Sequence, residues 1–442
     1  MATDAMPRFP DGFLWGVSTS AHQIEGAAGM RGPSVWDAFT AEPGRVKDGS
    51  TAAVACDHYH RYREDVALLA GLGVDAYRFS VSWPRVESPG GLDFYDRLVD
   101  ELCAAGVRPV PTLFHWDLPA GLDWLERDTA ARFAAYAAVV AERLGDRVGT
   151  WITLNEPAEH TLLGHALGVH APGRELLFDA LPVAHHQLLA HGLAVRALRA
   201  AGATDVGIAN SHGPTWPASD EPADRDAADF YDVLLNRMFS DPVLTGRYPE
   251  GIGELMPGSP EETDADLEII AEPLDWYGVN YYAPTRVGAP QGTETGSGGV
   301  TLPAGLPFSV RPIEGRPQTD FGWPVVPEGL TELLTGLRDR YGERLPPVMI
   351  TENGCSYEGL DDRERIAYLD GHVRALHRAV EAGVDARGYF VWSLLDNFEW
   401  AEGYARRFGL VHVDFTTLAR TPKASYGWFR ELVRAQRCPP VG

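Results

Sequence analysis

Cysteine is scarce in this 442-residue chain: there are four, Cys56, Cys103, Cys355 and Cys438, with no C-x-x-C spacing. That argues against a disulfide scaffold or a cysteine-ligated zinc site, and it fits a reducing compartment. Positive charge is short as well, with 38 Lys and Arg against 62 Asp and Glu and a net charge of −24. Phosphate binding needs clustered cations, so neither a nucleic acid nor an anionic membrane is expected as a partner. The surplus acid reads as a solvated surface. No apolar run is long enough to span a bilayer. Met1 to Arg8 contains no apolar h-region and strand-like sequence starts by Phe13, so a signal peptide is not expected and the chain reads as cytoplasmic. No G-x-G-x-x-G follows a strand and no P-loop is present, so no nucleotide cofactor is implied.

What is present is an alternation of strand and helix signals. Strands are predicted over Phe13 to Thr19, Ala76 to Trp83, Val107 to Trp116, Thr150 to Asn155, Asp205 to Asn210, Leu274 to Tyr282, Pro347 to Glu352 and Arg387 to Leu394. Amphipathic helical patterns lie between them, over Tyr59 to Leu72, Phe94 to Ala105, Thr129 to Leu144, Val183 to Ala201, Leu330 to Tyr341 and Asp362 to Ala382, with a last one over Ser425 to Ala435. The near-continuous apolar strands suit burial on both faces. Eight strands alternating with helices predict an α/β fold, a single (β/α)8 TIM barrel over 1–442 with elaborated βα loops. The Gly- and Pro-rich stretch from Val287 to Pro307 is expected to be one such loop, and mobile.

Two strand ends carry the chemistry. Thr150 to Pro157 runs T-W-I-T-L-N-E-P and Pro347 to Gly354 runs P-V-M-I-T-E-N-G, so each apolar strand stops at a Glu and is broken at once. A Glu at the mouth of a parallel strand faces the crevice where such folds react. Two of them, Glu156 and Glu352, suggest one protonated and one ionised carboxyl, the equipment of glycosidic bond cleavage. Other polar and aromatic residues gather at the same ends: Gln23 and Glu25, Arg78, His115 and Trp116, Asn155, Asn280 with Tyr281 and Tyr282, Trp392, then Glu399 and Trp400. Amide, imidazole and carboxyl groups can bond every hydroxyl of a pyranose, and Trp offers a flat apolar face to its C–H side.

The chain resembles the β-glucosidases of glycoside hydrolase family 1 from Phe13-Leu14-Trp15-Gly16 to Arg420-Thr421-Pro422-Lys423, with T-L-N-E-P and I-T-E-N-G as its paired signatures. The resemblance implies that Glu156 is the acid/base and Glu352 the nucleophile. It implies that Gln23, His115, Trp116, Asn155, Glu399, Trp400 and Phe408 hold the sugar that is cleaved, with Trp392 as its stacking floor. It places Arg78, Asn280 and Tyr282 around the nucleophile. The substrate is then a small β-glycoside, a terminal β-D-glucosyl residue above all, with β-galactosides or β-fucosides alongside. No cofactor and no metal are implied, and the oligomeric state is left open. A transglycosylase on the same site and a silent sugar-binding barrel are the alternatives.

Arg78 can also be read as a structural ion pair and Tyr282 as core-facing. Glu25 reads as structural. His185-His186 is not expected to hold metal, since adjacent helical residues do not share a face, and Asp57 to His60 reads as a helix start. The residue two after the first Glu is commonly a large aromatic in bacterial relatives and here is Ala158. Several βα connections also look trimmed. An open leaving-group side is the expectation, suited to bulky aryl or natural-product aglycones, with Trp323 or Phe308 as side chains that could take the missing aromatic's place.

Overall fold

Eight parallel strands close on themselves in the computed structural model, which describes residues 6–292, 295–297 and 300–437. They are β1 (Leu14–Ser18), β2 (Ala76–Ser80), β3 (Arg108–Phe114), β4 (Thr150–Asn155), β5 (Asp205–Ser211), β6 (Trp276–Asn280), β7 (Val348–Asn353) and β8 (Ala386–Trp392). Each pairs with its sequence neighbour, and β8 pairs back onto β1, Leu14 opposite Gly388 through Ser18 opposite Trp392. The eight outer helices are α1 (His58–Leu72), α2 (Gly91–Ala104), α3 (Asp128–Leu144), α4 (Leu181–Ala200), α5 (Pro260–Ile270), α6 (Pro327–Tyr341), α7 (Arg363–Glu381) and α8 (Ala424–Arg437). The (β/α)8 barrel expected from the alternation is the fold.

The barrel interior is a packed plug. Leu14, Ala76, Val110, Ile152, Ala209, Trp276, Met349 and Phe390 form one cluster, one side chain from each strand. Large and small residues must be matched in such a layer, because interiors pack at crystal density. Phe390 and Trp276 occupy room left by Gly16 and Gly207: a Cβ on Gly16 would lie 2.3 Å from the Phe390 ring, and one on Gly207 would lie 2.6 Å from the Trp276 ring. The plug closes the lower part of the barrel, so chemistry is confined to the other end. The larger apolar cluster lies between the strands and the helices.

The strand ends differ from the sequence reading. β2 stops at Ser80, and Trp83–Val86 is a helical turn with Pro84 inside its first turn, where a missing N–H costs nothing. β6 stops at Asn280, leaving Tyr281 and Tyr282 beyond it. Three helices after β5 were not anticipated: Pro222–Asp232, Met238–Thr245 and α5. In the first and third, dense Asp, Glu and Pro hide the apolar stripe, and the second is short with Pro242 inside it, yet α5 had a signal in Ser259 and Glu262, which form a reciprocal capping box. Of the Gly-rich stretch, Thr293, Glu294, Gly298 and Gly299 lie outside the described residues, so its expected mobility is not decided by them. Around them Thr285–Gly288 pairs with Ser309–Arg311, and Thr295–Ser297 with Val300–Leu302. Cys56, Cys103 and Cys355 are free, and Cys438 lies outside the described residues. Among the described residues no helix is long and apolar enough to cross a membrane.

Candidate active site

Both strands that carry the Glu pair lose regular register as they reach it. β4 shifts against β5 between Ile152 and Asn155, and β7 shifts against β6 between Ile350 and Glu352. Such irregularities bend a strand and re-aim its side chains. Glu156 itself has φ 45°, Trp116 73° and Trp400 51°, three non-glycine residues in the left-handed region. Each such residue costs on the order of 1–3 kcal/mol and persists only where its surroundings enforce it. Here the surroundings are the mouth of the barrel.

Glu352 is 3% exposed and held on both oxygens. Arg78 Nη1 donates to Oε1 at 2.6 Å, and the Tyr282 hydroxyl donates to Oε2 at 2.7 Å. Arg78, 1% exposed, also donates to the Thr351 carbonyl at 2.9 Å, Asn155 Oδ1 at 2.5 Å and Thr112 Oγ1 at 3.1 Å. Tyr282 therefore faces the cleft, and its neighbour Tyr281 is the core-facing one, donating to the Val326 carbonyl at 2.7 Å. Burial pushes the Glu352 carboxyl above its usual range, while Arg78, Tyr282 and Asn280 pull it back. Glu156 is 5% exposed and has one donor, Asn280 Nδ2 at 2.8 Å. Burial pushes it well above the usual range, and the charges of Glu352 and Glu159 push the same way. Burial is the larger cause. The first proton to leave this pair comes from Glu352, because a cation stabilises only that anion at close range.

Above the pair lies a cavity of about 660 Å³. Its walls include Glu156, Glu352, His115, Trp116, Tyr282, Trp392, Glu399, Trp400 and Phe408. His115 stacks against Trp392 at 5.7 Å and against Trp400 at 6.0 Å, and the Trp116 indole donates to the Asn155 carbonyl at 3.0 Å. Gln23, Arg78, Asn155 and Asn280 stand one layer behind these walls. Gln23 donates to Glu399 Oε2 at 3.3 Å, to Asn397 Oδ1 at 3.1 Å and to the Phe398 carbonyl at 2.9 Å, and Ser20 donates to Gln23 at 2.6 Å. Asn155 bonds His115 Nε2 at 3.1 Å. Burial and the nearby Glu352 charge push Glu399 up to about 8. At the rim Lys47 pairs with Glu402, which also holds Arg406 at 3.1 Å.

On the leaving-group side the structure revises one expectation. Ala158 is 2% exposed and packed in the apolar core, away from the cavity wall. The cavity wall includes a run of aliphatic side chains, Leu162, Leu163, Leu167, Leu177 and Leu234, with Phe178 and Tyr231. Trp323 and Phe308 do line it, Trp323 packed on Tyr282 at 5.1 Å and Phe308 on Tyr231 at 5.1 Å.

The remaining polar groups have other partners. Glu25 accepts from Arg85 at 2.7 Å and from Tyr95 at 2.6 Å. His185 bonds Tyr248 and Asp266, both at 2.9 Å, and His186 bonds the Trp124 carbonyl at 2.9 Å. His58 opens α1 and pairs with Asp65 at 2.8 Å. Sequence reasoning missed Glu159 and Lys47 and gave Asn397, in the run from Asp396 to Trp400, no role of its own. Only Glu159 had a signal, its place three residues after Glu156.

Known proteins of similar sequence and fold agree with one another. A family model described as glycosyl hydrolase family 1 matches residues 5–438. The chain belongs to glycosyl hydrolase family 1. It is 47% identical over 450 residues to a protein named thermostable beta-glucosidase B from Thermobispora bispora, covering 96% of this chain and 90% of that protein. A crystal structure of a psychrophilic beta-glucosidase from Micrococcus antarcticus superposes with TM-score 0.90 at 45% identity, covering 98% of both chains. A family 1 β-glucosidase from Thermotoga maritima gives TM-score 0.91 at 39% identity, covering 98% of this chain and 99% of that one. The family 1 member described here is a retaining glycoside hydrolase.

Proposed function

We propose that this family 1 enzyme is a β-glucosidase in which Glu352 is the nucleophile and Glu156 the acid/base. One observation carries the assignment: of Glu156 and Glu352, both buried in one cavity, Glu352 has an arginine, Arg78, bonded to it and Glu156 has none. The Glu352 carboxylate attacks the anomeric carbon, the glycosidic C–O bond breaks, and Glu156 gives its proton to the departing oxygen. Arg78 and Tyr282 stabilise the attacking anion and orient it. In the ester intermediate the Glu352 charge is gone, so Glu156 becomes more acidic. It then accepts a proton from water as that water attacks the anomeric carbon, the ester C–O bond breaks, and configuration is retained.

In this reading Glu399 and His115 face the sugar hydroxyls and are themselves fixed by Gln23 and Asn155. Trp392, Trp400 and Phe408 supply the apolar faces. The aliphatic chamber beyond Glu156 favours broad aryl, polyphenol or terpenoid leaving groups over a second sugar.

The test is a pair of variants on 2,4-dinitrophenyl β-glucoside, whose leaving group departs unprotonated. Glu156→Ala should show a burst followed by slow turnover, with the intermediate trapped on Glu352 and located by peptide mass. Glu352→Ala should show neither burst nor turnover. Equal behaviour of the two variants in both steps would overturn the assignment.

A further inference from the structure

A further carboxyl in the cavity, Glu159, has no part in the reaction set out above. Glu159 lies at the end of the helical turn Pro157–Glu159, and it lines the same cavity as Glu156. The turn is closed, since the Glu156 carbonyl accepts the His160 amide at 3.2 Å. At about 100° per residue, a side chain three positions on comes back to the face it started from. Glu159 Oε1 accepts from the Ser211 hydroxyl at the end of β5 at 3.0 Å. Burial raises its carboxyl above the usual range, the Ser211 hydroxyl pulls it back toward the ionised form, and among the described residues no cation is bonded to it.

The groups facing Glu156 can be taken element by element. Glu352 comes from β7, with Arg78 of β2 bonded to it. Tyr282 follows β6 and is kept neutral by burial. His115 follows β3 and is held neutral by burial and Arg78, while burial alone lowers His212, after β5, to about 4. Glu399, after β8, keeps its proton up to about 8. Its own segment supplies Glu159 and His160, the latter also held neutral by burial. The charges that raise Glu156 are therefore Glu352 and, after it, Glu159, and Arg78 offsets them only in part. Glu159 adds its push to that of Glu352 and, unlike Glu352, keeps it when the ester forms.

We propose that Glu159 is a positioning residue for the reaction: as an uncompensated carboxylate in the cavity wall it keeps the transferable proton on Glu156. The inference rests on the acid/base role of Glu156. Like charges in a water-poor cavity disfavour a second ionisation, so an anion at 159 widens the pH range in which Glu156 can act as acid. Its influence extends into the ester intermediate, where Arg78 loses its partner and would otherwise draw the proton from Glu156 fully.

The experiment is the pH profile of kcat/KM on an alkyl β-glucoside, whose leaving group needs the proton, for wild type, Glu159→Gln, Glu159→Met and Glu159→Asp. Gln and Met should move the alkaline limb to lower pH by about half to one unit, a loss of about 3–10-fold on that side. The acidic limb should stay, and Asp should restore most of the alkaline one. The first step on dinitrophenyl β-glucoside should not respond, which separates this role from mere support of the fold. An alkaline limb that is unmoved or moved upward in the neutral variants, or moved as far by Asp, overturns the proposal. Should neither neutral variant fold, Ser211→Ala decides: it removes the hydroxyl that favours the Glu159 carboxylate, so the alkaline limb should move to lower pH, and a limb left in place would overturn the proposal. Absence of β-glucoside turnover by wild type at every pH would instead sink the assignment beneath it.

Discussion

Asn280 ties the two carboxylate strands together through Glu156: its Nδ2 donates at 2.8 Å to Oε1 of Glu156. The same amide reaches Asn155 Oδ1 at 3.0 Å, while its Oδ1 accepts from the hydroxyl of Thr351, the residue before Glu352, at 2.6 Å. A donor on a carboxyl favours its ionised form. Asn280 thus opposes the push of burial and of Glu352, and it serves the half of the reaction in which Glu156 is a base.

Asn280→Ala should move the alkaline limb of kcat/KM upward, the opposite of the neutral Glu159 variants. It should also slow breakdown of the intermediate, by about 10-fold or more, because the Glu156 anion loses its one donor. Pre-steady-state bursts on an activated glucoside read the second effect directly. An unchanged burst amplitude and limb would refute this account.

Arg78→Lys keeps a charge but loses the planar fork that reaches Glu352, Thr351, Asn155 and Thr112 together. The expected loss in kcat is about 10²–10³-fold, as for other preorganised donors. The acidic limb should move to higher pH, because the Glu352 carboxylate is then less favoured. A loss confined to KM would contradict that.

Asp117 gives a pH signature in stability that is separate from turnover. It is 1% exposed, and burial, with the Glu25 charge, pushes it up to about 8. Its folded pKa is above the unfolded one, so the favourable contribution is complete below about 4 and is lost as pH rises towards 8. Asp117→Asn cannot titrate. Its stability relative to wild type should therefore rise by about 1.4 kcal/mol per pH unit between roughly 4 and 8 and level off above that. Chemical denaturation at stepped pH measures it, and parallel curves would show that the carboxyl is charged throughout.

The aliphatic chamber predicts substrate range. Burying an extra ~100 Å² of a broad aglycone is worth about 2.5 kcal/mol before ordering costs, enough to set a preference of tenfold or more in kcat/KM. Aryl, polyphenol or terpenoid β-glucosides should outrank cellobiose. Ala158→Trp should lower Tm and leave that ranking alone, since an indole there must displace the core. Cellobiose as the best substrate of such a panel would end the reading.

The Glu pair and its arginine were legible in the sequence because a strand fixes direction: its residues alternate faces and its last ones must look out of the barrel mouth. The same logic put Tyr282 in the cleft, two residues after Asn280. Ala158 was misplaced and Glu159 overlooked because the chain turns helical at Pro157 and the period changes from two to 3.6. Two positions after Glu156 a side chain has swung about 200° away, into the core, and one position further it is back in the cavity. The layering of Gln23 and Asn155 behind Glu399 and His115 was also out of reach, since it depends on which side chains fill the mouth first.

The ion pair of Lys47 with Glu402 at the rim has a practical side. The sequence holds two lysines, Lys47 and Lys423. The Lys423 side chain is 1% exposed and bonded to Asp396 at 2.7 Å, whereas that of Lys47 is 55% exposed. Amine-reactive reagents therefore have one accessible side chain to find, and it stands at the entrance to the cavity. A dye placed there would report substrate entry from a single address, and coupling to an amine-reactive support would turn the entrance toward the support and obstruct it, unless the chain's own α-amine reacts first.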